Sequence, residues 1–151
     1  MKEFQKDIYK YVYGKRYGKN YFSIIKSAPA HSFFIRYNKS AQTAITRNSM
    51  SAPAKFLYKN GYIKGRVLDY GCGKGKDVNE LAIRGHPTAG YDPYQSGMNR
   101  INVLSNSYYD TILCTYVLNV VPPEERKYIF KAIKMCLKST AKAYITVRRD
   151  I

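Results

Sequence analysis

From residue 66 onward the apolar positions fall into a repeating order. Arg66-Val67-Leu68 runs into Asp69-Tyr70 and then into glycines at alternate positions, Gly71, Gly73 and Gly75. Val78, Leu81 and Ala82 recur at helical spacing, and Gly85 is placed to end that helix. Thr88-Ala89-Gly90-Tyr91 reads as a second short strand closing on Asp92-Pro93. Gln95 to Ser107 is polar, with Ile101, Val103 and Leu104 as its apolar cluster, and fits either a third strand or a short helix. Thr111 to Val121 is almost continuously apolar, as expected of a central parallel strand covered on both faces. Pro122-Pro123 stops it, and Glu124-Glu125 suit the positive end of a following helix. Tyr128, Ile129, Ala132, Ile133, Met135, Cys136 and Leu137 supply that helix's buried stripe, and Lys142 to Arg149 is a last strand. The order strand-helix-strand, weak segment, strand-helix-strand predicts an α/β fold with a minimal, mostly parallel sheet of about five strands.

Upstream, Ser51 caps a helix that begins at Ala52-Pro53, buries Phe56 and Leu57, and closes at Gly61. Farther back the period is ambiguous. Tyr9, Tyr11 and Tyr13 alternate as in a strand, whereas Phe4, Ile8, Tyr11 and Val12 share a helical face. The stretch from Lys2 to Phe22 is read here as a short helix followed by a loop holding Gly14 and Gly18. Ser32 to Arg36 is a short strand or an apolar anchor.

Composition adds a direction to this picture. The 151 residues suit one domain, 1–151, in which 1–50 form a basic, Tyr-rich helical and loop extension and 51–151 a ligand-binding core. The formal net charge is +16 and unevenly placed: residues 1–66 hold 14 Lys or Arg against Glu3 and Asp7, and residues 67–151 hold 12 against eight acids. Such a field attracts polyanions, and the interleaved tyrosines can stack on unpaired bases or form a packing layer, so DNA or RNA is the expected partner of the N-terminal part. No apolar run approaches the roughly 20 residues that span a bilayer, and Met1 to Gln5 has no signal-peptide core, so no membrane partner and a cytoplasmic location are expected. Cys72, Cys114 and Cys136 have no metal-ligand spacing, and they are expected to pack, with no metal site.

The glycine stretch carries the chemistry. A strand that ends in a tight glycine turn and feeds a helix lets a ligand lie on the backbone, beside free N–H groups and the acceptor Asp69. The spacing is neither the Walker pattern, which needs Gly-Lys-Ser/Thr, nor Gly-x-Gly-x-x-Gly, because the third glycine comes one residue early. Asp92 stands 21 residues beyond Gly71, near the spacing at which an acid after the second strand accepts ribose hydroxyls. Asp69, the glycines, Asp92 and Tyr116 to Val121 all fall at strand carboxyl ends, where ligands bind in such sheets.

Val-Leu-Asp followed by Gly-x-Gly-x-Gly resembles motif I of the Rossmann-like class I S-adenosylmethionine-dependent methyltransferases. Thr43-Ala44-Ile45-Thr46-Arg47, Ser49-Met50-Ser51-Ala52-Pro53, Gly90-Tyr91-Asp92-Pro93 and Tyr116-Val117-Leu118-Asn119-Val120-Val121 extend the likeness to putative methyltransferases associated with DNA phosphorothioation and to related bacterial and phage proteins. The resemblance implies S-adenosylmethionine as cofactor and a cofactor edge built from Asp69, Gly71, Cys72, Gly73, Gly75, Asp92, Pro93, Tyr116 and Val117. Thr43, Arg47 and Ser51 are candidates for the cofactor's carboxylate or the substrate. Asn119, Tyr116 and His31 are the candidate catalytic residues.

Two departures accompany it. The usual sheet has two further strands after the fifth, so the last strand's edge is expected to be covered by the N-terminal segment or by a second copy in a homodimer. Leu118-Asn119-Val120-Val121-Pro122 is also not the Asn/Asp-Pro-Pro-Tyr/Phe of enzymes that methylate exocyclic base amines. The expected activity is methyl transfer to nucleic acid or a nucleic-acid-associated substrate. Its alternatives are a non-catalytic nucleic-acid-binding module of the same fold and a small-molecule methyltransferase.

Overall fold

A computed structural model describes residues 12–17, 20–26 and 48–148, the first two stretches as backbone. Its strands are β1 (Val12–Tyr17), β2 (Asn20–Lys26), β3 (Val67–Tyr70), β4 (Thr88–Tyr91), β5 (Tyr109–Thr115) and β6 (Leu137–Arg148). Its helices are α1 (Ala52–Lys59), α2 (Lys76–Ile83) and α3 (Pro123–Cys136). The strands form one sheet in the order β1-β2-β6-β5-β3-β4. β4, β3, β5 and β6 are mutually parallel, and β2 and β1 add antiparallel.

Strand alternation divides the interior into two layers. Leu68, Ile112, Cys114, Ala143 and Ile145 pack with Ile129, Ala132, Ile133 and Cys136 of α3. Val67, Leu113 and Tyr144 face the other way, onto Ala54 and Leu57 of α1 and Leu81 of α2. Each Val, Leu or Ile among them, fully withdrawn from water, contributes about 1.5–3 kcal/mol before the entropy of ordering is subtracted. The sheet is therefore covered on both faces, which explains why β5 reads as a nearly unbroken apolar run.

The core elements form where the sequence places them. Ser51 caps α1 through a bond from the Ala54 N–H (3.3 Å), Pro53 occupies the first turn, and Gly61 follows with φ +72°. Leu57 of α1 is buried, while Phe56 is half-buried and stacks beside Tyr62 at 6.3 Å. α2 ends at Ile83, with Gly85 at φ +92° two residues on. α3 starts on Pro123, with Glu124 and Glu125 in its first turn. Ile101–Val103 is one turn of 3₁₀ helix, the short-helix alternative for that weak segment.

Two expectations are corrected. Residues 12–17 and 20–26 are strands, not helix and loop, because the β-forming residues Val12, Tyr13, Tyr17, Tyr21, Phe22, Ile24 and Ile25 outweigh the helical spacing. β2 pairs along β6 from Asn20↔Arg148 to Lys26↔Lys142, so the N-terminal segment, the first of the two expected covers, lies along that edge. α3 also passes straight into β6: Leu137, read as the last residue of the helical stripe, is the first residue of the strand and pairs with Tyr109. Met135-Cys136-Leu137 contains no glycine or proline to announce the change. No helix among the described residues is long and apolar enough to cross a membrane.

Candidate active site

The carboxyl ends of β3, β4 and β5 meet at one edge of the sheet, and the glycine turn lies on it. Gly71, Gly73 and Gly75 take φ of +77°, +56° and +84°, a left-handed backbone that side chains with a Cβ resist. The turn is tied to the neighbouring strand, since the N–H groups of Gly71 and Cys72 both donate to the Tyr91 carbonyl, at 2.7 and 3.1 Å. Space is closed as well. A Cβ on Gly71 would lie 2.3 Å from Val117 Cγ2, and one on Gly75 would lie 2.4 Å from Met98 Cε. Gly75 is also the N-cap of α2 and offers that helix no side-chain cap.

Asp92 is buried at the end of β4 and reaches across to the turn. Its Oδ2 accepts the Gly73 N–H at 3.0 Å, and its Oδ1 accepts the Tyr94 N–H at 3.0 Å. The Asp92 N–H donates to the Met98 carbonyl at 2.8 Å, which folds the segment from Pro93 to Met98 back over the turn. Asp69, also buried, sits at the end of β3 in register with Gly90. Pro93 is half-buried beside these acids.

Cys72 packs between the strands. A Cβ on Gly90 would approach its Sγ to 2.8 Å. Burial, and then the negative charges of Asp69 and Asp92, push its thiol well above the ordinary cysteine range. It is therefore a neutral thiol at physiological pH, which suits packing and not nucleophilic attack. Burial raises the Cys136 thiol to about 12 and raises that of Cys114 further.

The other wall of the edge comes from the end of β5. Tyr116 has φ +59°, unusual for a bulky residue, and its N–H donates to the Thr146 carbonyl of β6 at 2.8 Å. That bend turns Val117 toward Gly71 and starts the 3₁₀ turn Leu118–Val120. Asn119 lies in this turn, and its Oδ1 is buried with no hydrogen-bond partner among the described residues; Thr146 Oγ1 is in the same state. Orphaned polar atoms are costly, and these two lie at the carboxyl edge of the sheet beside the glycine turn's neighbours.

Of the residues expected at the site, Asp69, Gly71, Cys72, Gly73, Gly75, Asp92, Pro93, Tyr116, Val117 and Asn119 come together on this edge. Thr43, Arg47 and His31 lie outside the described residues. Ser51 is present but committed elsewhere: its hydroxyl donates to Asp77 Oδ2 (2.6 Å), and its N–H donates to Asp77 Oδ1 (2.7 Å). The hydroxyl also accepts the α1 cap bond, so Ser51 fastens α1 to the first turn of α2. A carboxylate beside it further disfavours an anionic ligand. His86, the one histidine among the described residues, lies at the opposite edge against Tyr58, ring centroids 5.9 Å apart. Among the described residues no cluster of three His, Cys, Asp or Glu side chains could hold a metal ion.

Thr146, Met98 and Asp77 escape a reading of the sequence alone. Their roles depend on which strands become neighbours, and the acid at the first turn of α2 is the one signal that pointed to any of them.

A glycine turn of left-handed backbone, joined through a backbone amide to an acid at the end of the next parallel strand, is a fitting seat for a nucleoside that carries a ribose diol. Residues 37–150 match the family model described as "Methyltransferase domain". No curated protein matches the chain. With the match covering most of its length, the chain belongs to the methyltransferase domain family, in the class I, Rossmann-like form that its sheet displays.

Proposed function

We propose that this protein transfers a methyl group from S-adenosylmethionine to nucleic acid or to a nucleic-acid-associated substrate. The observation that carries the cofactor assignment is the bond from the Gly73 N–H to Asp92, which brings the acid and the glycine turn into one site. The backbone of Gly71 to Gly75 and the carboxylate of Asp92 would hold the nucleoside, with Tyr116 and Val117 as the facing wall. Bound there, the cofactor supplies an electrophilic methyl on a sulfonium. The chain's own contribution is alignment and exclusion of water, which suffices for an in-line displacement when the acceptor needs no base. Asn119 Oδ1, buried and without a hydrogen-bond partner among the described residues, would accept a hydrogen bond from a donor on the incoming acceptor.

The acceptor class rests on charge. An excess of 12 cations over acids in residues 1–66 favours a polyanion, and the upstream motifs that resemble phosphorothioation-associated methyltransferases make DNA the first pool to test. Incubation with cofactor labelled in its methyl group, and separate DNA, RNA, protein and metabolite pools, tests the reading. Label in a nucleic-acid pool is expected. Label confined to the metabolite pool would replace it with a small-molecule enzyme, and cofactor binding with no transfer to any pool would leave a binding module.

A further inference from the structure

We propose that the amino edge of the sheet, opposite the glycine turn, is a docking surface for single-stranded nucleic acid. The inference rests on the nucleic-acid reading above for the identity of the polyanion, but binding alone tests it. Segments distant in sequence converge here: the end of α1, the residues before β3, β4 and β5, and the start of β6. They bring Lys59, Lys64, Arg66, Arg84, Lys138 and Lys142 to one rim. The acids nearby are already engaged. Asp110 accepts from the Arg66 N–H at 2.8 Å and from Lys138 Nζ at 3.0 Å, and Glu80 pairs with Lys76 and Arg84. Six cations set against Asp110 and Glu80 leave the rim net positive. The glycine edge, by contrast, sets Asp69, Asp77, Asp92, Glu124 and Glu125 against its lysines and arginines.

Aromatic rings lie among these cations. The Arg66 guanidinium stands 4.4 Å from the centroid of the Tyr108 ring, and Arg84 is 5.7 Å from that of Tyr58. Tyr108 and Tyr62 remain 41% and 39% exposed, so planar surface is left for a ligand. Cations alone would suit any polyanion. The exposed Tyr108 ring beside the Arg66 guanidinium, with exposed Tyr62 on the same rim, favours one whose bases are unstacked and free to lie on them, which a duplex does not offer.

The test is fluorescence anisotropy of the full chain, without cofactor, against short labelled single-stranded RNA, single-stranded DNA and duplex DNA over a range of salt. Wild type should bind either single strand more tightly than the duplex. The double variant Lys64→Gln/Arg66→Gln should weaken binding about tenfold and lower the slope of log affinity on log salt by about 1.4, the value for two lost phosphate contacts on a single strand. Tyr108→Leu should weaken single-strand binding roughly fivefold or more and leave duplex binding unchanged. Lys127→Gln/Lys131→Gln on α3 should stay within about twofold of wild type in the same titration. Each variant is first checked for a wild-type melting curve. Wild type that binds no single strand, amino-edge variants that bind like wild type, or preference for anionic vesicles over oligonucleotides would overturn the assignment. Failure of methyl transfer in the labelled-pool assay leaves this outcome untouched.

Discussion

The two edges of the parallel sheet are built on different physical terms. At the carboxyl edge the backbone is bent at Gly71, Gly73, Gly75 and Tyr116, carboxylates are buried at Asp69 and Asp92, and side chains close to contact distance around the turn. At the amino edge the cations are mostly exposed and the contacts are ion pairs and ring stacks; room varies there, since a Cβ on Gly65 would lie 2.1 Å from Asp110 Oδ2 while one on Gly61 would meet nothing within 4 Å. A shaped site fails when one atom is misplaced, whereas an electrostatic surface loses strength in small increments and responds to salt. Equivalent substitutions at the two edges should therefore differ in size.

The largest contrast is between two glycines of similar conformation. Gly71→Ala combines φ +77° with a Cβ 2.3 Å from Val117, and should cost about 2–5 kcal/mol in chemical denaturation, with loss of cofactor binding. Gly61→Ala at the amino edge has φ +72° but nothing within 4 Å, and should cost only about 1–2 kcal/mol with cofactor binding intact. Equal costs would mean that contact with Val117 does not shape the turn.

A smaller contrast separates two carboxylates. Ser51→Ala removes the α1 cap and the hydroxyl bond to buried Asp77, and should cost about 2–3 kcal/mol. Asp110→Asn breaks a partly exposed ion pair and should cost under about 1 kcal/mol. The Arg66 N–H, and then Lys138, hold the Asp110 carboxyl below its usual range. Its contribution is accordingly present above the unfolded-state value and lost as pH falls through the folded one. Urea denaturation over the acid range should show this small decline in wild type and not in Asp110→Asn.

The smallest effect on stability is expected at the orphaned atoms. Asn119→Leu and Thr146→Val each remove a buried polar atom that has no partner among the described residues, so stability should be unchanged or higher by up to about 1 kcal/mol. Asn119→Leu should nevertheless impair methyl transfer while cofactor affinity holds. A clear loss of stability in both variants would make these groups structural.

How much of this was legible in the sequence follows from how local each signal is. Ser51, Pro53 and Gly61 bound α1 because caps and breakers act within a turn of their position. Asp92 is identifiable from its spacing to Gly71, but its bond to the Gly73 amide depends on parallel pairing of β3 and β4. The hairpin was missed because tyrosines satisfy helical and strand periods alike, and only the free edge of β6 decides between them. Ser51 reads as a ligand candidate because nothing near it in sequence announces Asp77, 26 residues away.

The central claim is that the glycine turn and Asp92 form one cofactor seat, and titration calorimetry with S-adenosylmethionine and S-adenosylhomocysteine tests it most directly. Wild type should bind both, and Asp92→Asn, which keeps the shape but removes the charge, should weaken both by about tenfold or more with the fold retained. Absence of binding by wild type, or an Asp92→Asn variant that binds as tightly, would contradict the account.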